Sequence, residues 1–255
     1  MPSKSKQIPV KRTKATAPNQ PEHNAESVIA LLRKVAKKSV REGMARFAIP
    51  ADKAFGVPVG TMRQIAKRIG QDHELAAALW ETGWYEGRII AVFLDEPERV
   101  TPSQMDQWCK AFDNWAICDT ACLHLFDRTP HAWKKVAQWS SRKEEFEKRA
   151  AFALLWALSV HDKTADNERF SQGLLLIERE AHDERNFVKK AVNMALRAIG
   201  KRNGELHTAA VAVATRLSEP SQPAAARWVG KDALRELASA SVSRRLAAKK
   251  HAVGK

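Results

Sequence analysis

The chain has 255 residues, with 43 Lys and Arg against 29 Asp and Glu and a formal net charge of +14; its pI is near 9.9. That length allows one large domain or two small ones, and the charge favours an anionic partner, nucleic acid ahead of a membrane surface. No run of about 18 apolar residues occurs, so no membrane span is expected; the polar leader does not read as a signal peptide, and three cysteines, an odd number, point to free core thiols in a reducing, intracellular setting.

Residues 1–24 are Lys, Pro, Ser and Thr without apolar periodicity and are expected to be a disordered basic tail. Such a tail either adds nonspecific phosphate affinity or only solubilises. From 25 to 240 the apolar residues recur at three and four rather than two, the period of helices. Thr101-Pro102-Ser103-Gln104 combines an N-cap, a Pro at the first helical position and a Gln at the third. Asp113 is a further cap candidate, Thr129-Pro130 repeats the cap and Pro, and Ser141-Arg-Lys-Glu144 is another capping box. Asp183 is expected to cap a helix that Gly200 ends. Residues 241–255, with Arg244, Arg245, Lys249 and Lys250, form a basic C-terminal tail that extends a final helix before fraying. About a dozen helices with short links predict an all-α protein. Stacked antiparallel pairs would make an α-solenoid with a concave basic face, and an irregular bundle is the alternative.

One acid is out of place. Asp119 interrupts the otherwise apolar helix from Asp113 to Phe126, where Cys118, Ala121, Cys122 and Leu125 form the core stripe. An ionised carboxylate is costly to bury unless it is paired or used. Trp115 lies one helical turn before it, on the same flank. An indole and a carboxylate presented together in a cleft is one reading; an Asp paired with an Arg of a neighbouring helix is the other. Arg149, at the edge of the apolar face of the Ser141–Val160 helix, is a candidate partner, and its planar fork could equally grip a phosphate. On the Asp183–Gly200 helix, Val188, Ala191, Val192, Ala195 and Ile199 form the buried face. Lys190, Arg197 and Lys201, with Met194 among them, make a stripe that is either a phosphate track or a solvated face. Trp80, Trp108 and Trp156 are expected in the core. The histidines and cysteines lack zinc spacing and no glycine-rich phosphate loop occurs, so neither metal nor cofactor is predicted.

Asn-Trp115-Ala-Ile-Cys-Asp119, Lys-Arg149-Ala-Ala-Phe-Ala-Leu-Leu-Trp and Phe187-Val-Lys-Lys-Ala-Val-Asn-Met-Ala-Leu-Arg197 resemble the DNA alkylation repair glycosylases built from HEAT-like helical repeats. Met44-Ala-Arg-Phe47, Phe55-Gly-Val-Pro58 and Arg227-Trp-Val-Gly-Lys-Asp-Ala-Leu-Arg-Glu-Leu237 resemble that family's terminal segments, so the likeness runs from about Ala25 to Ala238. The resemblance implies a monomeric, cytoplasmic, nucleoid-associated protein whose concave face holds double-stranded DNA. It implies a monofunctional DNA N-glycosylase of base excision repair that removes positively charged N3- and N7-alkylated purines. It makes Asp119 the catalytic carboxylate, with Arg149 and Trp115 beside it, and puts Phe47, Lys190, Met194, Arg197 and Lys201 on DNA. Two positions depart from the family pattern: Met194 stands where a tryptophan is expected, and Phe47 where some relatives have tyrosine. The competing readings are a non-catalytic nucleic-acid-binding solenoid and a protein-interaction solenoid.

Overall fold

The computed structural model describes residues 23–253, with side chains as far as 248. Among the described residues the chain is helical throughout, with no strand: α1 Ala25–Lys34, α2 Lys38–Gly43, a 3-10 turn Met44–Phe47, α3 Val59–Ile69, α4 His73–Glu81, α5 Tyr85–Leu94, α6 Pro102–Lys110 and α7 Trp115–His124. After a second 3-10 turn, Phe126–Arg128, come α8 Ala132–Ser140, α9 Glu145–His161, α10 Asn167–Glu180, α11 Asn186–Ile199, α12 Gly204–Ser218, α13 Ala224–Leu237 and α14 Ala240–Val253. Most of the expected N-terminal tail, residues 1–22, lies outside the described residues, whereas the basic C-terminal stretch is helical as far as Val253. No helix of the described residues is long and apolar enough to cross a membrane.

Short polar side chains start the helices. Asn24, Asp72, Thr101, Asn114, Asp166 and Asn203 each accept the backbone N–H three residues on, satisfying a donor the helix cannot. Other starts differ from the sequence expectation. Asn114 rather than Asp113 caps α7. Thr129 turns its hydroxyl back to the Phe126 carbonyl, and α8 begins only at Ala132. Glu144, not Ser141, precedes α9, and Asp183, three residues ahead of α11, accepts from Arg185. Asp113, Thr129 and Asp183 are cap-competent side chains that found partners other than the first helical turn. Gly200 does end α11, where an added Cβ would meet Leu237 Cδ2 at 2.7 Å.

Consecutive helices pair as hairpins, α4 with α5, α8 with α9, α10 with α11 and α12 with α13. The pairs stack so that α3, α5, α7, α9, α11 and α13 run side by side in one layer, with α8, α10 and α12 in the layer behind. This is the HEAT-like α-solenoid. The repeat appears in the bonds between successive pairs: Asp106 with Lys135, Asp119 with Arg149, Lys148 with Glu180, Arg197 with Asp232 and Glu178 with Arg216 join residues 29 to 38 positions apart. Between the layers runs one continuous core. Trp80 stacks on Trp108 with centroids 3.9 Å apart, and Phe126, Trp139, Phe152 and Phe170 are fully buried, each contributing about 1.5–3 kcal/mol by leaving water. Cys109, Cys118 and Cys122 are free thiols inside it.

Candidate active site

The Asn114 cap fixes where α7 begins, because its Oδ1 accepts the Ile117 N–H at 3.0 Å. Trp115 is therefore the first helical residue and Asp119 follows one turn later on the same flank. The Trp115 indole N–H donates to the Phe47 carbonyl at 2.7 Å, docking the Met44–Phe47 turn against α7. That turn closes with Ala48 in the left-handed region at φ 52°, which leaves Phe47 63% exposed at the cleft mouth. Ala48 lacks the glycine that this conformation prefers, so a strained residue sits on the cleft rim.

Across the groove, α9 supplies Arg149. Its Nε donates to Asp119 Oδ1 at 2.9 Å and its Nη2 to Oδ2 at 2.7 Å, a two-pronged pair, while Nη1 donates to the Phe187 carbonyl at 2.7 Å. Asp119 is 8% and Arg149 3% exposed. The neighbouring-helix pairing that the sequence left open is therefore formed, and Arg149 gives its Nε and one N–H of each terminal nitrogen to protein acceptors. Burial pushes the Asp119 carboxyl above the usual aspartate range, and the charge and hydrogen bonds of Arg149 oppose that shift without reversing it. Arg149, which burial alone would lower, is held further in its charged range by Asp119. The arrangement fixes the carboxylate in one orientation. Its two oxygens accept one N–H each from Arg149, and a carboxylate has about four lone-pair sites, so acceptor capacity remains toward the cleft.

The cleft holds about 480 Å³. It brings together six of the sequence-predicted residues, Phe47, Trp115, Asp119, Arg149, Lys190 and Met194, from four separate segments. Five further lining residues, Arg46, Ala48, Trp156, Asn186 and Phe187, escaped the sequence reading. Arg46 adds a cation at the mouth, Phe187 packs at 6.0 Å from the Arg149 guanidinium, and Trp156, half-buried and packed against the core, also forms a wall of the cleft. An indole within an apolar helical run carries no sequence signal for which side it faces.

Arg197 and Lys201 lie elsewhere and form no free cationic stripe. Arg197 pairs with Asp232 at 3.2 Å and with Glu236, and Lys201 pairs with Glu236, all across to α13. Lys190 alone of the three faces the cleft. Among the described residues no group of three His, Cys, Asp or Glu side chains comes together as a metal-binding set.

A solved structure described as "a new family of proteins related to the HEAT-like repeat DNA glycosylases with affinity for branched DNA structures" has the same fold. Its TM-score is 0.71 at 20% identity, over 84% of this chain and 95% of that one. No curated protein matches. The profile of the family described as "DNA alkylation repair enzyme" matches residues 28–237, the whole stack of helices from α1 to α13, and the chain belongs to that family.

Proposed function

We propose that this protein is a DNA glycosylase that excises positively charged N3- and N7-alkylated purines from duplex DNA by hydrolysing the N-glycosidic bond. The observation that carries the reading is the carboxylate of Asp119, recessed in a cleft beside an indole and clamped by Arg149 so that it points one way.

An alkylated purine of this class already bears positive charge, so the base departs neutral and needs no general acid. Positive charge develops instead on deoxyribose C1′. A preorganised carboxylate in a site of low dielectric stabilises that charge without reorganising at the moment of reaction. The same oxygens can orient the attacking water and accept its proton. Trp115 offers π density to the sugar. Arg149 acts through Asp119 as a positioning residue, while Lys190 and Arg46 at the cleft are the cations available to the DNA backbone. Met194 packs as a flexible thioether where an indole would give a flat stacking face.

A second reading is a scaffold that binds nucleic acid without cleaving it. It is favoured by the engagement of both Asp119 oxygens with Arg149 and by the branched-DNA affinity in the description of the structurally similar protein. Base release from a duplex carrying one N7-methylguanine separates the two. Release above the spontaneous rate by the wild type and not by Asp119→Asn is the expected result; no release by either, with salt-dependent binding intact, selects the binder.

A further inference from the structure

Trp156 borders two cavities. On one side is the Asp119 cleft; on the other is a second cavity of about 470 Å³ between the C-terminal ends of α9 and α11, with Arg245 of α14 on its lining. Four cations line it, Lys163, Lys201, Arg202 and Arg245, and no carboxylate does. Ala198 on this wall lies one helical turn beyond Met194 of the cleft, about 6 Å at ~1.5 Å per residue. The two cavities are therefore neighbours along one face of the stack.

The cations divide into two kinds. Lys201 is tied to Glu236, and Arg202 lies 3.8 Å over the Phe170 ring while donating to the Ser159 carbonyl at 2.9 Å. These two give the cavity a fixed positive floor. Lys163 and Arg245 are exposed, and neither has a carboxylate partner among the described residues; Lys163 donates only to the Val160 carbonyl. Arg245 comes from α14, which lies outside the residues the family profile matches. The helix is anchored through Val242, 5% exposed, and packs on α13. Packing thus sets where α14, which carries Arg245, lies at the end of the stack.

We propose that the second cavity is a phosphodiester-binding subsite, in which Lys163 and Arg245 hold the DNA backbone beside the nucleotide in the Asp119 cleft and α14 serves as a clamp for that strand. This rests on the reading of the cleft as a DNA site. A cation beyond the fixed floor, delivered by a helix added to the end of the stack, lengthens the phosphate track without touching the chemistry.

The test compares the wild type, Lys163→Glu/Arg245→Glu and a charge-matched control, Lys134→Glu/Arg244→Glu, whose side chains lie away from both cavities. The probe is a duplex of about two helical turns with one central N7-methylguanine, and the readouts are duplex affinity against salt concentration and base release with protein in excess. Removing two phosphate contacts lowers the slope of log affinity against log salt by about two. The expected result is that loss in the Lys163/Arg245 variant alone, with the rate of base release at saturation unchanged in both. Lys163→Gln/Arg245→Gln repeats the loss without charge reversal. Equal slopes in wild type and variant, or an equal loss in the control, overturn the subsite while leaving the cleft reading intact. A wild type that releases base or binds duplex with no salt dependence overturns the subsite too, whereas one that does neither overturns the cleft reading from which it follows.

Discussion

The Asp119–Arg149 pair joins stability to chemistry, and the two can be separated by changing one partner or both. Asp119→Leu leaves a buried guanidinium facing an apolar side chain, with the Nε and Nη2 bonds of 2.9 and 2.7 Å both lost. Arg149→Met leaves a buried carboxylate in the same position. Removing one member of a buried pair costs about 3–5 kcal/mol, because the survivor keeps its desolvation penalty without compensation. At ~2–4 °C per kcal/mol for a protein of this size, each single variant should melt about 6–20 °C lower. The double variant Asp119→Leu/Arg149→Met removes both charges and fills similar volume, so it should recover to within about 2 kcal/mol of the wild type. Urea unfolding of the four proteins gives the coupling energy directly. Base release at 25 °C, where all four stay folded, gives the chemistry, and the restored double variant should remain slower than wild type by a factor on the order of 10²–10³. A double variant as unstable as the two single losses added together would show that the residues are not a coupled pair. A stable double variant that releases base at the wild-type rate would remove the carboxylate from the mechanism.

Two further outcomes follow from the packing. Gly230→Ala should cost about 3 kcal/mol or more, beyond ordinary overpacking, because the new Cβ would meet the Ala214 carbonyl oxygen at 2.5 Å and the Ser218 nitrogen at 2.7 Å, both backbone atoms of α12; urea midpoints decide it. Asp183, which burial alone would raise, is held at about 2 by hydrogen bonds from Arg185 and Lys148. A carboxyl lowered on folding contributes stability that is present above its unfolded value and lost as pH falls through the folded one. Wild-type stability should therefore decline between pH ~4 and ~2, and Asp183→Asn should flatten that part of the curve while lowering stability at neutral pH.

Asp119 and Trp115 could be found because their pairing needs only the helical period: on any helix a residue and the one four later share a flank. The core stripes of α7 and α11 followed from the same period, and Cys118, Ala121, Cys122, Leu125, Val188, Ala191, Val192, Ala195 and Ile199 are all buried. Arg149 could be named as a partner but not assigned between carboxylate and phosphate, since that choice depends on whether α9 brings it beside α7 or out to solvent. The cleft side of Trp156 was missed because an indole in an apolar run reads the same from either side of a helix. Arg197 and Lys201 read as a free cationic stripe because their carboxylate partners, Asp232 and Glu236, come from the next inner helix, about 35 positions further on. Thr129 and Asp183 read as caps because the sequence shows which residues are able to cap and not which other acceptor or donor will be nearer.

The sequence by itself determined the all-helical class, the amphipathic faces, the surplus of positive charge and the presence of one carboxylate that the core does not need. These are properties of residue type and short-range period, which the chain carries whatever its neighbours do. Only the tertiary structure decided that Phe47, Trp115, Asp119, Arg149, Trp156 and Met194 line one cleft, and which cations face that cleft rather than acids of the next helix. Those relations join residues about one repeat or more apart, so they are fixed by how whole helix pairs stack and leave no local trace in the chain.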